Sequence, residues 1–154
     1  MKAKTSVLTL ALCLVAGAVC FASDAQMGTW KVNEGKSKIA AGMPKNNTVV
    51  LEAAGDNVKV TIDGTTSDGK PAHNEWTGKF DGKDYPVTGD PNSDMRSYKQ
   101  IDDRTLEFTI KKGGKVTISG RAVISADGKT RTVTASGTNP QGKKVHGTTV
   151  YDKQ

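Results

Sequence analysis

With 154 residues, the chain has the length of one domain and can bury a real core. Its formal charge is +6, and without Lys2 and Lys4 the 20 remaining basic residues face 16 acidic ones, leaving +4. The charges alternate along the chain and form no run, which argues against a nucleic-acid surface and for a solvated exterior.

Residues 1–22 read as an export leader. Lys2 and Lys4 form a basic start, Val7 to Val19 is an apolar core, and Cys20-Phe21-Ala22 or Ser23-Asp24-Ala25 offers small residues for cleavage. The apolar run is shorter than the ~20 residues that cross a bilayer, so no membrane span is expected after cleavage. A lipid anchor on Cys20 fits less well, because Gly17-Ala18-Val19 lacks the Leu and the small last residue of a lipobox. The expected mature domain is 23–154, periplasmic or secreted. Cys13 and Cys20 leave with the leader, so that domain has no thiol, no disulfide and no cysteine metal site.

The mature chain then repeats strand and turn. Gly28 to Val32 opens it with Trp30 and Val32 on one face, and Lys36 to Met43 is a short connection. Thr48 to Ala53 and Val58 to Ile62 flank Gly55-Asp56-Asn57, and a two-residue turn there keeps Val49 and Leu51 on the face of Val58, Val60 and Ile62. His73 to Phe80 puts Trp76, Gly78 and Phe80 on one side, and an Asp81-Gly82 turn aligns Tyr85 and Val87 with them. Thr88 to Asp94 is rich in Pro, Gly and Asp, the one irregular connection and the candidate mobile rim loop.

Thr105 to Thr138 carries three alternating runs separated by glycine turns. A three-residue Lys112-Gly113-Gly114 loop pairs Ile110 with Val116 and Phe108 with Ile118. A two-residue Asp127-Gly128 turn of type I′ sets Ala122 against Val133 and Gly120 against Ala135. The last strand runs from about Lys143 to Tyr151. No eleven-residue window shows a helical period, so the count is nine or ten short strands. D-G-K recurs at Asp68, Asp81 and Asp127 as reused turn chemistry rather than a structural repeat or a calcium loop. An all-β antiparallel up-and-down meander of this length removes its edges by closing, so a barrel of 8–10 strands is expected, with a two-sheet sandwich as the alternative.

Gly28-Thr29-Trp30 resembles the G-x-W signature of lipocalins and other calycins. With Asp81 to Val87 (D-G-K-D-Y-P-V) and Ile101 to Thr105 (I-D-D-x-T), the chain resembles small exported bacterial proteins of lipocalin-like type. That resemblance implies a barrel closed at one end by Trp30, packed against a basic side chain from a late strand. Arg131 points inward opposite Ile124 and is the candidate partner, with Arg121 and Lys153 behind it.

Such a barrel encloses one small ligand or fills with side chains. Gly120, Ala122, Ala135 and Gly137 are small while Trp76, Phe80, Tyr85, Phe108 and Ile118 are bulky, an asymmetry that leaves a pocket or merely lets the sheet bend. The direction of Met95 to Ile101 turns on its loop. A three-residue Asp102-Asp103-Arg104 loop puts Arg96 and Tyr98 on the inner face, where they would grip a ligand carboxylate, as in fatty-acid-binding relatives. A two-residue loop turns Met95, Ser97, Lys99 and Ile101 inward instead. Burying Arg is costly, which favours the outward direction.

His73 reads as outward, and His146 as inward or outward according to the length of the Gln141-Gly142 turn. No second imidazole stands beside either, so neither metal nor haem is expected. There is no cysteine nucleophile, no serine elbow and no spaced His/Asp set, and Glu75 and Glu107 face out, so no enzyme is expected. The reading is a monomeric exported protein that binds a small hydrophobic or amphipathic molecule through Trp76, Phe80, Tyr85, Phe108, Ile118, Arg96 and Tyr98, with Arg96 or Arg131 as the candidate anchor. The alternative is a filled barrel acting in the envelope or through its outer surface. Asn46-Asn47-Thr48 is a glycosylation sequon only in a eukaryotic host.

Overall fold

A computed structural model of the chain describes residues 24–139 and 141–154; the expected leader and its two cysteines lie outside the described residues. Ten antiparallel strands follow one another: β1 Gly28–Val32, β2 Lys45–Ala54, β3 Asn57–Thr65, β4 Pro71–Gly78, β5 Tyr85–Thr88, β6 Met95–Asp102, β7 Thr105–Lys112, β8 Lys115–Ile124, β9 Thr130–Thr138 and β10 Lys144–Lys153. Each pairs with the next, and β1 pairs with both β2 and β10, so the sheet closes into a barrel and a two-sheet sandwich is ruled out. Closure leaves no long unpaired edge, which a meander of alternating strands must otherwise protect. The only helical segments among the described residues are single 3-10 turns at Asp24–Gln26 and Glu34–Lys36.

The registers show where turn chemistry decides the facing of side chains. The β7–β8 loop is shorter than expected. Gly113 and Gly114 both take positive φ, +55° and +76°, which closes a two-residue turn with Lys112 opposite Lys115. Phase is then restored by a bulge beyond Lys111 and Val116, so Ile110 meets Ile118 and Phe108 meets Gly120, each two residues from the expected partner. Val116 is left 58% exposed at the rim.

The β8–β9 register has Ala122 against Val133 and Gly120 against Ala135, but the turn is not of type I′. Every described non-glycine residue keeps a negative φ, and the Asp127 carboxylate instead accepts hydrogen bonds from Ser125 Oγ (2.5 Å) and Lys129 N (3.0 Å).

The β6–β7 connection overturns the preference for a solvent-facing Arg96. A two-residue Asp103-Arg104 loop closes Asp102 on Thr105, and a bulge between Gln100 and Asp102 then shifts the phase. Tyr98 therefore meets Phe108 and Arg96 meets Ile110, and both side chains are buried. At the far end of the chain, Lys144 pairs with Thr138, so His146 lies opposite Ser136 on the exposed face.

One end of the barrel is packed shut. Gln26, in the first 3-10 turn, is fully buried and its Nε2 donates to the Arg104 carbonyl (3.0 Å). Trp30 is also fully buried, and its Nε1 donates to the Gln26 carbonyl (2.9 Å). The cation over the Trp30 ring is Lys153, 5.2 Å from the centroid, in the place expected of Arg131. Arg131 does pair with Ile124, but its guanidinium belongs to the barrel interior. Leu51, Val58, Val60, Leu106, Ala122 and Ile124 complete this core.

Candidate ligand-binding cavity

The opposite end is hollow. A cavity of about 520 Å³ opens there, within the ~300–1,000 Å³ usual for small-molecule sites. Its mouth is ringed by residues 42–44, 66–67 and 89–92, by Lys112 and Lys115, and by Thr138 and Asn139. Its apolar wall comes from Val49, Ile62, Phe108, Ile110, Ile118 and Val133.

Of the residues expected to line a ligand, Phe108, Ile118, Arg96 and Tyr98 reach this wall. Trp76, Phe80 and Tyr85 do not. They lie behind it as an aromatic cluster, with Trp76 stacked near Phe80 (centroids 6.4 Å) and edge-on to Tyr85 (5.8 Å) and Tyr98 (4.8 Å). Alternation shows which face these rings share, but not at which height along the barrel they stand. Trp76 Nε1 donates to the Arg96 carbonyl (2.9 Å), so the cluster braces the strand that carries the cavity's arginine.

The small late-strand residues are not what makes the cavity. Gly120, Ala122, Ala135 and Gly137 are absent from its wall. A Cβ on Gly120 would stand 2.3 Å from the Thr134 carbonyl and 2.6 Å from the Phe108 ring, so this glycine allows a close approach of strand and ring.

Two buried guanidiniums distinguish the interior. Arg96, one residue into β6, is 3% exposed; its Nη2 donates to Asn74 Oδ1 (3.2 Å) and stands 3.9 Å from Asp90 Oδ2. Its Nε and Nη1 have no hydrogen-bond partner. Arg131, one residue into β9, is 4% exposed, and its Nε and Nη1 are likewise unpartnered. Burial lowers its pKa from the ordinary arginine value, an effect opposed by Tyr98 and Tyr151. Burial also pushes the Tyr151 hydroxyl up to about 12, so this phenol is a neutral donor at any ordinary pH. Asn74 and Tyr151 were not expected among the ligand-lining residues, whereas Arg131, expected chiefly beneath Trp30, lines the cavity in its other expected place, as a ligand anchor beside Arg96.

The irregular Thr88 to Asp94 segment does form part of the rim, and it is tied down. Asp90 accepts from Asn92 N (2.9 Å) and Ser93 Oγ (2.7 Å). Asp94 accepts from Gly113 N (2.8 Å), which fastens the loop to the neighbouring β7–β8 turn. Asn46 also lines the cavity, placing the sequon's acceptor on the inside.

The two histidines stand outside and apart. His73 Nδ1 is 2.6 Å from Asp63 Oδ1, and His146 Nδ1 is 2.8 Å from Ser136 Oγ. Among the described residues no group of three or more His, Cys, Asp or Glu side chains converges on a metal-sized site.

No family model matches the chain, and no curated protein matches it. Solved structures similar to it include a redesigned and a de novo designed beta barrel. EF1p2_mFAP2b bound to DFHBI is 14% identical, with 86% of this chain and 97% of that one covered and a TM-score of 0.51. A redesigned beta barrel, mFAP1, bound to DFHBI, is 18% identical over 86% of this chain and 98% of that one, with a TM-score of 0.45. A de novo designed fluorescence-activating beta barrel is 14% identical over 86% of this chain and 97% of that one, with a TM-score of 0.42. At these identities the likeness is one of fold.

Proposed function

We propose that this chain is an exported, monomeric, lipocalin-like binding protein that holds one small hydrophobic or amphipathic molecule inside its barrel, without catalysing a reaction on it. The observation that carries the reading is the open cavity of about 520 Å³ with its apolar wall of Phe108, Ile110, Ile118 and Val133. Packed interiors rarely keep voids of this size without a use, since every missing contact forfeits dispersion energy. Arg96 and Arg131 are the anchors available to the polar end of such a molecule. The similarly folded EF1p2_mFAP2b, bound to DFHBI, adds support by analogy only.

The test is a titration of the mature protein with an environment-sensitive apolar dye. One-to-one binding with a blue-shifted emission is expected. Trp76 fluorescence should change with it, because Trp76 touches Tyr98 and Tyr98 lines the cavity. No binding at any dye concentration would overturn this reading and favour a barrel that acts through its outer surface.

A further inference from the structure

The cavity carries more positive charge than its own residues neutralise. Four cations line it, Arg96, Arg131, Lys112 and Lys115, against the single carboxylate of Asp90. Lys112 and Lys115 stand at the mouth on the β7–β8 turn in water, where a lysine charge costs little. The arginines are different. Both are buried, and a guanidinium does not shed its proton to escape burial.

Arg131 has no carboxylate within ion-pair distance among the described residues, and neither its Nε nor its Nη1 finds an acceptor. Tyr98 and Tyr151 both act on its charge, but neither is a carboxylate, and burial keeps the Tyr151 phenol neutral by pushing its pKa up to about 12. Arg96 is only partly answered. Asn74 takes one hydrogen bond, and Asp90 Oδ2 at 3.9 Å is beyond hydrogen-bond range while already accepting from Ser93 Oγ. A buried ion left uncompensated is among the costliest features a fold can carry, and a ligand site is the usual reason for keeping one.

Resting on the reading of this cavity as a ligand site, we infer that its ligand is an amphiphile with two negative charges, one answered by Arg131 with Tyr98 and Tyr151, the other by Arg96 in the position Asp90 now approaches. A neutral molecule would leave Arg131 without a counter-charge and Arg96 only partly answered by Asp90, and a monoanion at Arg131 would leave Arg96 in that state. The apolar wall of the same cavity holds the hydrocarbon part. Lys112 and Lys115 raise the local concentration of anions at the entrance. Asp90 is then the internal stand-in that the ligand displaces, which couples occupancy to the rim loop it belongs to.

The experiment is calorimetric titration of the mature protein with four probes of equal chain length: a straight-chain dicarboxylic acid, the monocarboxylic acid, the monoalkyl phosphate and the parent alcohol. At least one doubly charged probe should bind about tenfold or more tightly than the monocarboxylate, as expected for one added charge-assisted contact in a buried site. The alcohol should be weakest. A stronger dicarboxylate places the two charges apart, and a stronger phosphate places them on one group. Arg96→Gln should reduce the doubly charged probe to the affinity of the monocarboxylate. Asp90→Asn should tighten the doubly charged probe a few-fold by removing its competitor. Arg131→Met, which keeps the volume and deletes the charge, should weaken every acid while melting no lower than the parent protein.

Alcohol or monocarboxylate binding as tightly as both dianions would overturn the inference and leave the cavity a ligand site. Weaker dianion binding by Asp90→Asn, or a clear loss of thermal stability in ligand-free Arg131→Met, would also overturn it, since the cations would then be satisfied within the fold. Failure of all four probes together with the apolar dye would overturn the ligand site itself.

Discussion

The two ends of this barrel are made from the same alternating strands and behave oppositely. At the closed end the inward side chains pack on one another: Trp30 sits under Lys153 and bonds to Gln26, whose Oε1 is left without a partner, and Leu106, Ile124 and Val60 are almost wholly buried. At the open end Phe108, Ile118 and Val133 are only half-buried, and two arginines face a void with donors unused. One end is optimised for contact, and the other gives contact up. That division is expected of a fold in which stability and binding are drawn from different residues.

The division can be broken at the closed end first. Trp30→Ala removes one of the two largest fully buried side chains and its hydrogen bond, and should cost about 3–5 kcal/mol in denaturant unfolding. A loss under about 1 kcal/mol would mean that this end is not the stabilising core. Gly78→Ala is next. Its Cβ would fall 2.5 Å from the Tyr85 ring and 2.7 Å from Trp76, so about 1–3 kcal/mol of overpacking is expected, together with an altered near-UV signal from the aromatic cluster.

At the open end the same kind of change should do the reverse. Val133→Trp projects into empty space and should shift unfolding by less than about 1.5 kcal/mol, while apolar dye affinity falls by tenfold or more. Equal dye binding by the variant would place the dye elsewhere.

The smallest effect is electrostatic and lies outside the barrel. The hydrogen bond to Asp63 raises the pKa of His73 above its ordinary value. The charged form is therefore favoured in the folded state, and the resulting stability is present below the unfolded pKa near 6.5 and lost as pH rises through the folded value. His73→Ala should flatten that slope slightly, as a pH series of melting curves would show.

How far these features were legible depends on whether the cause was local. Alternation and glycine turns sufficed for the meander, the inward face of Trp76 and Phe108, and the Ala122–Val133 register. The bulges between β6 and β7 and between β7 and β8 were not legible. A single extra residue near Ile101 carries Arg96 and Tyr98 from one face to the other, and another near Thr117 re-pairs Phe108 with Gly120. No residue type announces a bulge of this kind, because what selects it is the match of apolar faces across two strands.

Height along the barrel was equally hidden. Trp76, Phe80 and Tyr85 share a face with Phe108 yet stand behind the cavity, and Lys153 rather than Arg131 reaches Trp30. Strand tilt sets these levels, and tilt is a property of the closed sheet as a whole. The Asp24–Gln26 turn was also missed, being too short to leave any period in the sequence.

The most direct test of a barrel sealed at one end and occupied at the other is a native mass spectrum of the protein purified from its own host. The account predicts a folded species heavier than the chain by one small molecule, which leaves on denaturation and is detected as an acid in negative-ion mode. A bare chain mass in the native spectrum, from protein that also excludes the apolar dye, would contradict it.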